Sequence, residues 1–211
     1  VAYEETEKLL FSADAFGRFG ALSRTAAAPW APQARRYYYN IVGKYGAQVQ
    51  ALLKKASALE IETICPLHGP VLTGGALAEA LRLYDLWSRW QSESPDDILL
   101  AHASIHGNTA RAAELLKQKL EAKGARVTLC DLTTTEVSYA VANAFYCGKL
   151  VLACSTYDGG LFPPMEEFLT HLQAKGFRDR SVGLMENGSW APAAARLMRA
   201  KLEEMKDLRV C

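Results

Sequence analysis

The sequence predicts an α/β protein whose second half is a doubly wound parallel sheet of five strands, in the order 2-1-3-4-5. Three observations carry this. From residue 98 onward, apolar runs of strand length alternate with helical patterns. The run from Lys149 to Cys154 is almost wholly apolar, as a strand covered on both faces must be. A polar, proline-bearing stretch, Gln91-Ser92-Glu93-Ser94-Pro95-Asp96-Asp97, separates this region from a less regular first half and predicts a linker. Right-handed crossovers leave few ways to connect such a series, and 2-1-3-4-5 is the usual one at this length.

In the second half, strand 98–103 leads through a short polar turn into a helix near 109–123, with Ala112, Leu115, Leu116 and Leu120 at helical spacing and Gly124 as its stop. Strand 126–130 and a weaker helix near 135–146 follow, then strand 149–154. The next helix starts at Pro163-Pro164, buries Met165, Phe168, Leu169 and Leu172, and ends at Gly176. Strand 181–185, a helix over 191–205 and strand 208–210 complete the series. In the first half, Lys8–Ser12 reads as a short strand ending at Asp14. One long helical pattern runs from Gln33 to Ala56, Ile61–Cys65 reads as a second strand, and a last helix covers 76–90. Two short strands and two helices make a poor core, so this half is expected to lean on further material.

The net charge of +1, with no basic stripe, argues against nucleic acid as a partner. No apolar run is long enough to cross a bilayer and no signal-peptide pattern opens the chain, which predicts no membrane partner. Five cysteines without a Cys-x-x-Cys pair, three of them (Cys130, Cys147, Cys154) in apolar surroundings, predict free thiols and a cytoplasmic location. Val1 opens in mid-pattern and Cys211 follows an unfinished strand, so the sequence reads as part of a longer chain.

In a doubly wound sheet, ligands sit at the carboxyl ends of the strands. Three loops must meet there: Ser104-Ile105-His106-Gly107-Asn108-Thr109, Ser155-Thr156-Tyr157-Asp158-Gly159-Gly160 running on to Pro164, and Glu186-Asn187-Gly188-Ser189-Trp190 running on to Pro192. The first joins a strand to a helix N-terminus, where unpaired N–H groups and the helix dipole favour an anion. Ser104, Asn108 and Thr109 add donors to a phosphate, and Gly107 permits close backbone approach. Tyr157 and Trp190 either stack on a flat ring or cap the core from outside. One phosphate beside a flat ring matches flavin mononucleotide (FMN). A response regulator would need acidic residues at the strand ends, where Ala103-Ser104 and Cys154-Ser155 stand instead.

This constellation resembles the flavodoxin family, with His106 where a second hydroxyl residue is common. Leu10-Phe11-Ser12-Ala13-Asp14-Ala15-Phe16-Gly17, Tyr38-Tyr39-Asn40-Ile41-Val42 and Ile64-Cys65-Pro66-Leu67-His68-Gly69-Pro70 are similar to segments of flavodiiron proteins, in which a metallo-β-lactamase-like diiron domain precedes a flavodoxin-like domain. The resemblance implies that residues 1–93 are the incomplete end of the first domain and 96–211 the FMN-binding domain. It implies Asp14 as the carboxylate bridging two irons and His68 as a terminal ligand, carboxylate and imidazole being suited to non-haem iron. Read without the family, Asp14 is a turn cap and His68 a loop histidine between two prolines.

The resemblance further implies an oxidoreductase that passes electrons through FMN to a diiron site reducing dioxygen to water or nitric oxide to nitrous oxide. Its electron donor would be a rubredoxin or a flavin reductase, and its assembly a head-to-tail homodimer or higher oligomer. The family's other iron ligands precede the Asp14 strand and have no counterpart after Val1, so this chain is expected to keep electron transfer but not a competent iron centre. Two rival readings are a non-enzymatic flavodoxin-like carrier with a partner-binding first half, and a quinone reductase using a nicotinamide cofactor; no Gly-x-Gly-x-x-Gly fingerprint supports the latter.

Overall fold

Two units divide the chain, Val1–Gln91 and Ser92–Cys211, and the computed structural model describes residues 1–25 and 28–211. The first unit runs β1 (Ala2–Glu4), β2 (Leu9–Ala13), α1 (Leu22–Thr25), α2 (Trp30–Ile41), α3 (Gly46–Ala56), β3 (Thr63–Pro66), β4 (Leu72–Thr73) and α4 (Gly74–Ser88). Its sheet has the order β1-β2-β3-β4, with β2 and β3 parallel and the outer pairs antiparallel. Period-2 alternation sorts the side chains: Leu10, Ile64 and Leu72 are buried, while Phe11 is 48% exposed. The helices bury Tyr38, Tyr39, Tyr84 and Trp87, with Tyr38 centred 5.1, 5.1 and 5.4 Å from the other three rings. This aromatic cluster gives the half a better core than its two sequence-predicted strands implied; β1 and β4 were too short to show a pattern.

The long helix expected over 33–56 is two helices. α2 stops at Ile41, a 3₁₀ turn spans Gly43–Tyr45, and α3 restarts at Gly46. Glycine is a poor interior helix residue, and at Gly46 the backbone lies against the Ser88 carbonyl and the Trp90 ring, where a side chain would not fit.

The second unit runs β5 (Ser94–Ala103), α5 (Asn108–Glu121), β6 (Val127–Asp131), α6 (Val137–Tyr146), β7 (Cys147–Tyr157), β8 (Gly160–Leu161), α7 (Pro163–Ala174), β9 (Ser181–Asn187), α8 (Ala194–Glu203) and β10 (Arg209–Val210). Its sheet has the order β10-β9-β7-β5-β6, parallel at every pairing of that path, and β8 folds back antiparallel on β7. Leu99, Leu100 and Leu152 from the central strands are fully buried, as are Phe168, Leu169 and Leu172 of α7 and Met198 of α8.

The stretch expected as a linker supplies the start of β5 from Ser94. Its polar residues are matched by cations: Arg126 pairs with Asp97 and donates to Ser94 Oγ at 3.1 Å, and Lys149 pairs with Asp96 at 3.0 Å. A register shift between Ser94 and Ile98 takes up the irregularity. The β7 strand follows α6 without a loop, and the buried Arg180 holds that junction. Its guanidinium donates to the carbonyls of Phe145 (3.1 Å), Cys147 (2.8 Å), Arg178 (3.1 Å) and Asp179 (3.1 Å). All five cysteines are free, and Cys130, Cys147 and Cys154 are buried. Among the described residues, no helix is long and apolar enough to cross a membrane.

Candidate functional site

The carboxyl ends of β5, β7 and β9 enclose a cleft of about 230 Å³ lined by Ser104, Ile105, His106, Asn108, Thr109, Ser155, Thr156, Asn187, Gly188 and Ser189. All three loops singled out in the sequence contribute to it. Gly107 adopts the left-handed conformation (φ 83°) and caps α5, whose first backbone bond runs from Arg111 N to Gly107 O at 2.9 Å. The N–H groups of the first turn precede that bond and have no intrahelical acceptor.

Side-chain hydrogen bonds knit the loops together. The buried Thr109 hydroxyl lies 2.8 Å from Ser155 Oγ, and Asn187 Nδ2 donates to Thr109 Oγ1 at 3.4 Å. Thr156 Oγ1 accepts from the backbone N–H groups of Ala193 (2.9 Å) and Ala194 (3.2 Å), while Glu186 accepts from Ala195 N at 3.0 Å. These three bonds, accepted by two side chains, anchor the start of α8, and neither side chain's role was visible in the sequence pattern. Ser104 Oγ is buried yet has no hydrogen-bond partner. A buried hydroxyl without a partner beside unpaired helix N–H groups is what an oxyanion would satisfy. Beneath the cleft, burial pushes the Cys154 thiol up to about 11, so it stays protonated and inert.

The remaining predicted residues lie outside the cleft lining. Asp158 (φ 49°) and Gly159 (φ 72°) form the two-residue turn of the β7–β8 hairpin, the left-handed pair that matches strand twist. Gly160 pairs with Tyr157 in that hairpin, and the Tyr157 ring sits 5.7 Å from Phe162. Tyr157 is half exposed and Trp190 is 96% exposed. With the exposed Ile105, each loop thus presents one large apolar side chain to solvent.

In the first unit, the parallel strands β2 and β3 end side by side, which brings the loops after them together. His68 Nε2 lies 3.3 Å from Asp14 Oδ1, with both side chains more than half exposed. Burial, and then Asp14 beside it, push the Tyr37 phenol above its ordinary range. Among the described residues, no group of three or more His, Cys, Asp or Glu side chains is placed to hold a metal ion. Two protein ligands alone do not fit a diiron pair.

No protein-family model matches the chain. A putative diflavin flavoprotein of Synechocystis is 24% identical over 208 residues, covering 96% of this chain and 34% of its own length. A type A flavoprotein of Rhodobacter capsulatus is 24% identical over 207 residues, covering 95% and 48%. Among solved structures, the flavodiiron protein of Giardia intestinalis superposes with a TM-score of 0.87 at 23% identity, covering 98% of this chain and 54% of that one. The chain has the fold of part of a flavodiiron protein. The rubredoxin oxygen:oxidoreductase of Desulfovibrio gigas, also at TM-score 0.87, agrees, with 21% identity and 53% of its chain covered. The chain spans about a third to a half of the length of these curated relatives. The names of these relatives mark them as flavoproteins.

Proposed function

We propose that the chain binds FMN in the cleft at the ends of β5, β7 and β9 and transfers electrons through it. It would do so as part of a flavodiiron oxidoreductase whose whole form reduces dioxygen to water or nitric oxide to nitrous oxide. In this reading residues 1–93 are the end of a metallo-β-lactamase-like domain and 96–211 a flavodoxin-like domain. The observation that carries it is the orphaned Ser104 hydroxyl at the N-terminus of α5, inside a cleft to which all three loops contribute. When bound, FMN supplies one- and two-electron redox chemistry.

The residues of the chain bind and orient it. Ser104, Asn108 and Thr109, with the first-turn N–H groups of α5, hold the phosphate. Backbone groups of Thr156–Gly160 and Asn187–Ser189 contact the ring edge, and Tyr157 or Trp190 covers a ring face and excludes water from it. A rubredoxin or a flavin reductase is the proposed electron donor, and a homodimer or higher oligomer the proposed assembly. The proposed chemistry of this chain does not pass through iron.

Incubation with FMN followed by gel filtration tests the reading. One flavin per chain by absorbance is expected, with riboflavin, which lacks the phosphate, held at least about tenfold more weakly. Protein that elutes colourless overturns it. Metal analysis of the same sample tests the first unit, where two irons per chain would show that Asp14 and His68 do not act alone.

A further inference from the structure

His102, which does not line the cleft, lies at the carboxyl end of β5, two residues and about 7 Å of extended chain before Ser104. Its side chain is only 4% exposed, and Nδ1 is buried without a hydrogen-bond partner. The nearest carboxylate, Asp131 on β6, is its cross-strand neighbour, with Oδ1 3.9 Å from Nδ1. That oxygen already accepts from the backbone N–H and the hydroxyl of Thr133, at 2.9 and 2.7 Å. From α5, Glu114 adds a second negative charge acting on the ring, while the neighbour on β7, Ala153, carries none. Burial outweighs both carboxylates and holds the imidazole below its ordinary value.

The imidazole is therefore a buried base on which burial and the two carboxylates act in opposite directions. A dianionic phosphate on the turn two residues away adds a further negative charge to those of Asp131 and Glu114. We propose that His102 and Asp131 form a proton-binding site coupled to the phosphate turn, so that FMN binding draws a proton onto His102. This rests on the FMN reading of the cleft and adds the regulation of that site by pH. The step balances simply: a solvent proton passes to His102, whose imidazolium then has the Asp131 carboxylate, 3.9 Å from Nδ1, as its counter-charge, and no bond other than N–H is formed. Affinity for FMN must then fall with rising pH, by up to tenfold per unit between the proton affinities of the free and bound states.

Calorimetric titration with FMN at about pH 7.5, in buffers of different ionisation enthalpy, tests it, because the ligand is then mostly dianionic and contributes little proton exchange. The observed heat should depend on the buffer, with the sign of proton uptake. Riboflavin should show no such dependence, and neither should FMN with His102→Gln. Should that variant not fold, the imidazole resonance of His102 in the unaltered chain must titrate at higher pH with FMN than without it. FMN binding with buffer-independent heat, or with the same dependence in His102→Gln, overturns the proposal and leaves the FMN reading standing. No binding at all in the unaltered chain overturns the FMN reading first, and this proposal with it.

Discussion

Thr109→Val tests the hydroxyl bridge that joins the three loops. The substitution keeps the shape of a side chain that is 3% exposed and removes only its oxygen. Two hydrogen bonds go with it, the 2.8 Å bridge to Ser155 and the 3.4 Å contact from Asn187. Loss of a hydrogen bond costs about 1 kcal/mol net, and leaving the buried Ser155 hydroxyl without that partner adds about 1–2 kcal/mol more. The long Asn187 contact adds little. The sum, about 2–3 kcal/mol, corresponds to roughly 8–12 °C in Tm for a unit of about 120 residues. Thr109→Ser keeps the oxygen and loses a methyl group, which costs about 0.8 kcal/mol. Urea denaturation of both variants separates the terms, and the Val variant should also bind FMN at least about tenfold more weakly. A Val variant no less stable than the Ser variant would refute the assignment of that energy to the hydroxyl bridge.

Gly148→Ala should destabilise the second unit by about 3 kcal/mol or more, because its Cβ would stand 2.6 Å from Pro95 Cα, a backbone atom that cannot rotate away; a urea midpoint unchanged from the parent would contradict this. The free second unit should lose stability as pH falls below about 6.5. His102 has its proton affinity lowered on folding, so below that pH the unfolded chain binds more protons than the folded one. Thermal melts of the parent and of His102→Gln between pH 5 and 8 check the sign, and the difference between them should close above pH 7.

Much of the second unit was legible because its strands are buried on both faces. Leu99, Leu100 and Leu152 leave no polar alternative, and Gly124 and Pro163-Pro164 punctuate the helices beside them. The boundary stretch shows both the reach and the limit of composition: the two units divide within it, between Gln91 and Ser92, but Ser94 and Asp97 look like a loop until Arg126, 29 residues beyond Asp97, is known to pair with it. Asp158-Gly159 was readable as a hairpin turn from the dipeptide alone, a signal masked by the glycines and prolines around it. In the first unit the break at Val42-Gly43 was hidden by apolar residues that keep helical spacing on both sides of it. Thr156 and Glu186 as anchors of α8 were not legible at all, since their partners are backbone N–H groups that no residue type announces.

The composition of the cleft sets how it must bind an anion. None of its ten lining residues is Lys, Arg, Asp or Glu, and His106 is the one that can carry a charge. The attraction then comes from the dipole and free N–H groups of α5 and from neutral hydroxyl and amide donors, all within hydrogen-bond range of the ligand. Such contacts lie well inside the screening length of about 10 Å at 0.1 M salt, so added ions weaken them little. A site built on lysine or arginine at the rim would behave otherwise, because exposed charges are readily screened. FMN affinity measured at about 50 and 500 mM salt should therefore differ by less than about threefold. A loss of tenfold or more would mean that a cation outside the present lining closes over the phosphate when FMN binds, and that these neutral donors are not what holds it.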